Sequence, residues 1–194
     1  MKTAEPIREE QELEKIKNYF VYEKPNLRNY TLVCLGLNTA LRISDILSLQ
    51  WKDVYDFEKD KLKCHIQLSE QKTGKTSRIY MNKNIIEALK AYKICAQIKG
   101  RLSEEVYLFA GPHGTPISRV QAWRIISRAA DACELPGVIS PHSLRKTFGY
   151  QAWHKGIQPL MLMEIYNHSS FAITKRYLGI QQDDRDEVFK NICI

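Results

Sequence analysis

Six residues dispersed along the chain carry side chains that, brought together, could attack a phosphodiester: Arg42, Lys72, His142, Arg145, His168 and Tyr177. A phosphodiester is anionic and shields its phosphorus. Displacement on it therefore needs cations that hold the non-bridging oxygens and gain strength as charge builds in the transition state. Arginine suits this task, because its planar fork bonds two oxygens at once and stays charged at physiological pH. Arg42 and Arg145 are the candidate clamps. Tyr177 is the candidate nucleophile, but a phenol of pKa about 10 is only about 0.1% ionised at pH 7, a deficit of about 4 kcal/mol. A base must take its proton. His142 lies three residues before Arg145, which puts both side chains on one helix face and makes His142 the candidate general base. Lys72 lies in a predicted turn, from which a long flexible cation could reach and protonate a leaving oxygen.

Each residue also has a plainer reading. Tyr177 could be a half-buried helical aromatic, as most of the 10 tyrosines must be. His142 could be a helix N-terminal histidine satisfied by backbone, Arg42 a surface residue ending a helix, Lys72 a solvated turn lysine and His168 a loop or cap residue. A spacing such as His-x-x-Arg is weak evidence alone and gains weight only with its companions. The segment Gly74-Lys75-Thr76 is similar to the end of a phosphate-binding loop. The leading glycine such a loop requires would fall at Ser69, and the context is strand-turn-strand, so that reading fails.

Positioning these groups requires a scaffold, and the pattern predicts a helical one. Residues 7 to 22 have helical spacing, and Pro25-Asn26 breaks and caps before an apolar helix through Leu41. A short helix follows from about Ser44 to Leu49. Alternating, β-branched residues then predict a small antiparallel sheet, Lys61 to Leu68 against Ser77 to Met81, joined by the turn Lys72-Thr73-Gly74-Lys75. Asn82 caps a helix to about Lys99, ended by Gly100, and Ser118 caps another to about Cys133. Ser140-Pro141 opens a helix from about His142 to Lys155, and shorter helices cover Pro159 to Ile165 and Phe171 to Leu178. The fold class is mainly α with a small antiparallel β-sheet.

The 194 residues, 44% of them hydrophobic, can bury one core, so a single domain is expected. A net charge of +7 and a pI near 9.1 favour a polyanionic partner. The five cysteines are widely spaced with no C-x-x-C pair, so free, mostly buried thiols and no metal site are expected. The amino terminus lacks an apolar export core, and the stretch from Thr31 to Leu41 is too short to cross a bilayer. These features predict a cytoplasmic protein with no membrane association.

Four signatures occur in order: Thr39-Ala40-Leu41-Arg42-Ile43-Ser44-Asp45, His142-Ser143-Leu144-Arg145, Asn167-His168-Ser169-Ser170 and Arg176-Tyr177-Leu178. Together they resemble the catalytic domain of the tyrosine recombinases, also called the phage integrase family, from about Ile7 to the end of the chain. The resemblance implies a recombinase or integrase that cleaves and rejoins double-stranded DNA through a covalent 3′-phosphotyrosyl link, without metal, ATP or other cofactor. It makes His168 a third clamp, and it requires a tyrosine where Tyr177 stands, nine residues after His168. It also implies a homo-oligomer, a tetramer on DNA and a monomer when free. The helix from Ser118, with Arg119, Arg124 and Arg128, resembles the segment that family members lay against the duplex, and Lys75 is a further candidate contact.

Three departures stand out. Asp45 replaces the more frequent Glu, Tyr166-Asn167 replaces Leu-Gly before the histidine, and no amino-terminal core-binding domain is expected before Ile7, as in either an excised catalytic domain or a naturally short member. The expectation is a single catalytic domain over 1–194, with a core of about 7–180. The tail at 181–194, carrying Val188, Phe189 and Ile192, either packs on its own domain or is exchanged between subunits. The alternatives are a non-catalytic DNA-binding regulator with the same fold, or a relaxing enzyme of the type IB topoisomerase kind.

Overall fold

The computed structural model describes residues 4–71, 74–180, 186 and 189–192, and among these the chain is mainly helical. In chain order the elements are α1 (Glu10–Asn18), a π-helical turn (Tyr19–Glu23), α2 (Leu27–Asn38), α3 (Ile43–Leu47), α4 (Trp51–Val54), β1 (Tyr55–Asp56), β2 (Lys61–Leu62), β3 (His65–Ser69) and β4 (Thr76–Tyr80). There follow α5 (Lys83–Ile98), α6 (Arg119–Ala132), α7 (Pro141–His154), α8 (Pro159–Ile165) and α9 (Phe171–Leu178). The strands form two antiparallel pairs, β1 with β2 and β3 with β4, rather than the single sheet expected. No described helix is long and apolar enough to cross a membrane.

The predicted caps form. The side chains of Asn26, Asn82 and Ser118 accept from the backbone N–H three residues on, and Ser143 Oγ accepts from the Ser140 N–H at the start of α7. Each cap satisfies a donor that the first helical turn leaves without an intrahelical partner.

Two helices are shorter than their patterns suggest. The first begins at Glu10, because Ile7 is drawn out as extended chain, is 1% exposed and donates its N–H to Thr147 Oγ1 of α7 at 2.8 Å. Burial of an isoleucine outweighs the small propensity gain of another helical turn. The second, α2, stops at Asn38 rather than Leu41, because Ala40 adopts a left-handed conformation at φ 56°. Helix α4 follows a capping box between Gln50 and Asp53, a local signal absent from the predicted elements.

The main core gathers α1, α2, α5 and α6 around Trp51, Phe109, Leu32, Leu35 and Ile85. Helix α2 crosses α7 closely at Gly36, where an added Cβ would lie 2.7 Å from Leu144 Cδ1. This crossing sets the end of α2, and so Arg42 just beyond it, against the helix that carries Arg145. A smaller cluster of Ala40, Leu162, Tyr166 and Leu178 joins α8 and α9 to that crossing, with Phe148 and Tyr177 packed on it. Of the cysteines, Cys34 and Cys133 are buried, Cys95 is half-buried and Cys64 is exposed, all as free thiols; Cys193 lies outside the described residues.

Candidate active site

The left-handed Ala40 turns the chain back sharply, so that Arg42 caps α3, its carbonyl accepting from the Asp45 and Ile46 N–H groups at 3.0 Å. Its side chain projects to Glu70, where Nη1 donates to Oε2 at 2.6 Å. Asp45, fully buried in the first turn of α3, accepts from the Gln71 N–H at 3.0 Å through Oδ1. The chain entering the β3–β4 turn is thus held from both ends of one short helical turn.

His142 and Arg145 lie on α7, as their spacing predicted. Arg145 is 4% exposed, a depth at which a guanidinium must be paired or reserved for an incoming anion. Its Nη2 donates to the Tyr166 carbonyl at 3.1 Å, and its Cζ lies 4.6 Å from the centre of the Tyr166 ring and 5.7 Å from that of Tyr177. Its Nε has no hydrogen-bond partner; among the described residues it shares that condition with Asp45 Oδ2 alone.

Helix α9 brings Tyr177 to this group. Thr174 and Leu178, four apart on one face, are both fully buried, and Tyr177 lies beside them. Gly179, at φ 61°, ends the helix, and Arg8 Nη2 donates to its carbonyl at 3.1 Å, tying the amino-terminal segment to the end of the tyrosine helix. The Tyr177 ring lies 5.0 Å from that of His142 at 72°, and 4.6 Å from that of His168 at 56°. His168 Nδ1 is 3.0 Å from Thr174 Oγ1, and the His168 ring stacks on Tyr166 at 5.0 Å and 11°. Tyr166 supports the site from below: it is fully buried, and its hydroxyl donates to the Arg145 carbonyl at 2.7 Å.

The electrostatics follow from this crowding of cations in a partly dry site. Burial, with the charges of Lys146, Arg145 and Arg42, lowers the His142 pKa. Burial and the charges of Arg145 and Arg42 push His168 down to about 4, Glu70 opposing. Both imidazoles are therefore neutral near pH 7, each with a lone pair that can accept a proton. Burial weakens the hold of Arg145 on its proton, as does Arg42, while Tyr177 and Tyr166 strengthen it; a guanidinium stays charged regardless.

The structure thus gathers five of the six candidates, Arg42, His142, Arg145, His168 and Tyr177. Lys72 lies outside the described residues. Arg119, Arg124 and Arg128 are exposed on α6, which packs against α3 and α7, and Lys75 is exposed beyond the hairpin turn. Two neighbours escaped the sequence reading, Glu70 and the Asn167 side chain. The strand alternation that buries Ile66 and half-buries Leu68 also carries Glu70 inward, and this signal could have found it. A cavity of about 490 Å³ borders Glu70 and Asn167 but none of the gathered five.

The helical scaffold thus converges two arginines, two histidines and a tyrosine, and comparison with known proteins identifies the family. Residues 7–183 match the Phage integrase family, and the chain belongs to that family. It is 40% identical over 193 residues to the probable integrase/recombinase YoeC of Bacillus subtilis (strain 168), covering 98% of this chain and 97% of YoeC. It is 28% identical over 168 residues to the tyrosine recombinase XerD of Corynebacterium glutamicum, covering 85% of this chain but 52% of XerD. The chain spans about half of that relative. Among solved structures, the XerH site-specific recombinase bound to a palindromic difH substrate, a post-cleavage complex, superposes with a TM-score of 0.78 at 19% identity, covering 97% of this chain and 53% of that one.

Proposed function

We propose that this chain is a site-specific recombinase that cleaves and rejoins strands of double-stranded DNA through a 3′-phosphotyrosyl ester on Tyr177. The observation that carries the reading is the placing of the Tyr177 ring against both imidazoles and within 5.7 Å of the buried Arg145 guanidinium. Membership of the phage integrase family and the 40% identity to a probable integrase/recombinase support it.

In the proposed step the Tyr177 oxygen attacks phosphorus while His142 takes the phenolic proton. Arg42, Arg145 and His168 hold the non-bridging oxygens, and the unpartnered Arg145 Nε is a donor kept for one of them. The bond to the 5′ oxygen breaks, and Lys72 gives that oxygen its proton. Attack by a 5′ hydroxyl of a partner duplex reverses these events, so the ester conserves the bond energy and neither ATP nor a metal is consumed.

Lys75, Arg119 and Arg124 are proposed to contact the duplex backbone, where Arg and Lys contribute affinity without base readout. A tetramer on DNA, acting in the cytoplasm, completes the reading. Phe189 and Ile192, 78% and 60% exposed, are apolar side chains that a neighbouring subunit could cover, while Val188 and most of the 181–194 tail lie outside the described residues.

The test is capture on a library of nicked suicide duplexes with a randomised core. A covalent protein–DNA adduct formed by the wild-type chain and absent from Tyr177→Phe is expected, and sequencing the joined DNA yields the target. Duplex binding with no adduct from any member of the library would favour the regulator. Supercoil relaxation without recombinant product would favour the topoisomerase-like alternative.

A further inference from the structure

We propose that Glu70 is a positioning residue of this reaction: its buried carboxylate orients the Arg42 guanidinium and ties it to the turn that carries His168. The proposal rests on the strand-cleavage reading above and adds to it a residue that does not touch the substrate.

The geometry points to it in three ways. Glu70 is 4% exposed, and its two oxygens serve three different segments. Oε2 takes Arg42 Nη1 at 2.6 Å; Oε1 takes the Ser77 hydroxyl of β4 at 2.7 Å and the Asn167 amide. Ser77 is on the strand that pairs with β3, so the carboxylate also fixes the β3–β4 hairpin. Asn167 immediately precedes His168. One side chain therefore connects Arg42, the β4 strand and the segment that carries His168.

The bond to Arg42 engages Nη1, leaving the Nη2 and Nε donors of the guanidinium to face a phosphate oxygen. A charge-assisted bond to a carboxylate is short and directional, so it fixes the plane of the fork as well as its position. A residue that keeps a clamp in near-attack geometry contributes to rate rather than to binding. The charge also matters, because the Arg42 and Arg145 guanidinium groups converge here, and a buried anion offsets their mutual repulsion before any phosphate arrives.

Asn167 strengthens the case. Its backbone is left-handed at φ 53°, a conformation glycine adopts without cost and asparagine tolerates better than other residues. Asparagine satisfies the backbone requirement and also supplies an amide donor to Glu70, which glycine could not do.

Duplex affinity, thermal stability and single-turnover cleavage are measured for the wild-type chain, Glu70→Gln, Asn167→Gly and the double variant, on the duplex recovered by adduct capture. Glu70→Gln is expected to cleave at least about tenfold more slowly, the scale of one lost charge-assisted contact to a clamp, while binding the duplex within about twofold of wild type. Asn167→Gly keeps the backbone conformation, loses only the amide, and is expected to slow cleavage by about threefold at unchanged affinity, with Tm lowered by no more than about 4 °C. The double variant should be no slower than Glu70→Gln alone, because both changes act through one contact. Wild-type rates in Glu70→Gln, or losses of affinity and rate in step, would overturn the proposal. If Glu70→Gln fails to fold, Asn167→Gly decides alone, and a wild-type rate there would overturn it. Absence of an adduct from the wild-type chain would instead remove the strand-cleavage reading itself.

Discussion

His142 and Tyr177 meet edge to face, with ring centroids 5.0 Å apart and planes inclined at 72°. The imidazole proposed as base and the phenol proposed as nucleophile are therefore neighbours, although 35 positions separate them in the sequence. Helices α7 and α9 bring them together by packing on the same small cluster around Tyr166. The pH dependence of proton transfer between them follows from the environment of His142.

The pH profile of kcat/KM for strand cleavage reports groups of the free enzyme. His142 is held below its ordinary value of about 6.5 by burial and by Lys146, Arg145 and Arg42, so its base form persists below that pH. The rate should rise with pH with its midpoint below about pH 6.5, and His142→Gln should remove that limb and lower the plateau by about 10² or more. A wild-type profile still climbing with unit slope between pH 7 and 8 would contradict this role.

His168 gives a separate prediction about stability. Its folded pKa is about 4 against an unfolded value of about 6.5, so between those limits the unfolded chain binds more protons. The stability associated with the neutral imidazole is present above about pH 6.5 and is lost as pH falls through about 4. Urea unfolding at pH 7.5, 5.5 and 4.5 should show the wild-type chain losing more stability on acidification than His168→Gln. Parallel losses in the two proteins would oppose this.

The two arginines should be needed for rate more than for affinity. Arg145→Ala and Arg42→Ala are each expected to reduce single-turnover cleavage by about 10² to 10³, the scale of one removed transition-state donor. Duplex affinity should fall by less than about tenfold, since backbone contacts elsewhere carry most of the binding. Arg145→Lys should recover little, because a point charge cannot replace a fork that bonds the Tyr166 carbonyl while presenting Nε. Affinity and rate falling together would reassign both residues to simple DNA binding.

Tyr166 is the mechanical support of the site and can be tested by melting. Tyr166→Phe removes the donor to the Arg145 carbonyl and should cost about 1 to 3 kcal/mol, with Tm falling by about 2 to 4 °C for each kcal/mol. A Cβ added at Gly149 would collide chiefly with the Tyr166 hydroxyl, so Gly149→Ala should cost about 1 to 3 kcal/mol by overpacking. The double variant lacks the hydroxyl that collides and should be more stable than the sum of the single effects predicts. Simple additivity would place the strain elsewhere.

Local chemistry made much of this fold legible. Asn26, Asn82, Ser118 and Ser140 mark helix starts because a cap forms from side chains and backbone only a few residues apart. The same holds for His142 and Arg145, which share a face of α7 whatever surrounds it. Long-range packing decided the rest. Ile7 leaves its helical pattern to bury itself against α7, and the left-handed Ala40, packed among Leu162, Tyr166 and Leu178, ends α2 early. Convergence of Arg42 on Arg145 depends on the α2–α7 crossing at Gly36, which no spacing rule contains. Glu70 shows a different gap: alternation along β3 points it inward, yet its Arg42, Ser77 and Asn167 partners come from three other segments.

The central claim is that Tyr177 becomes covalently joined to DNA, and locating the joined residue tests it most directly. The trapped adduct is digested with protease and nuclease, and the nucleotide-bearing peptide is sequenced by mass spectrometry. A nucleotide esterified through its 3′ phosphate to the Tyr177 oxygen is expected. The nucleotide on another tyrosine, or a linkage through the 5′ phosphate, would contradict it.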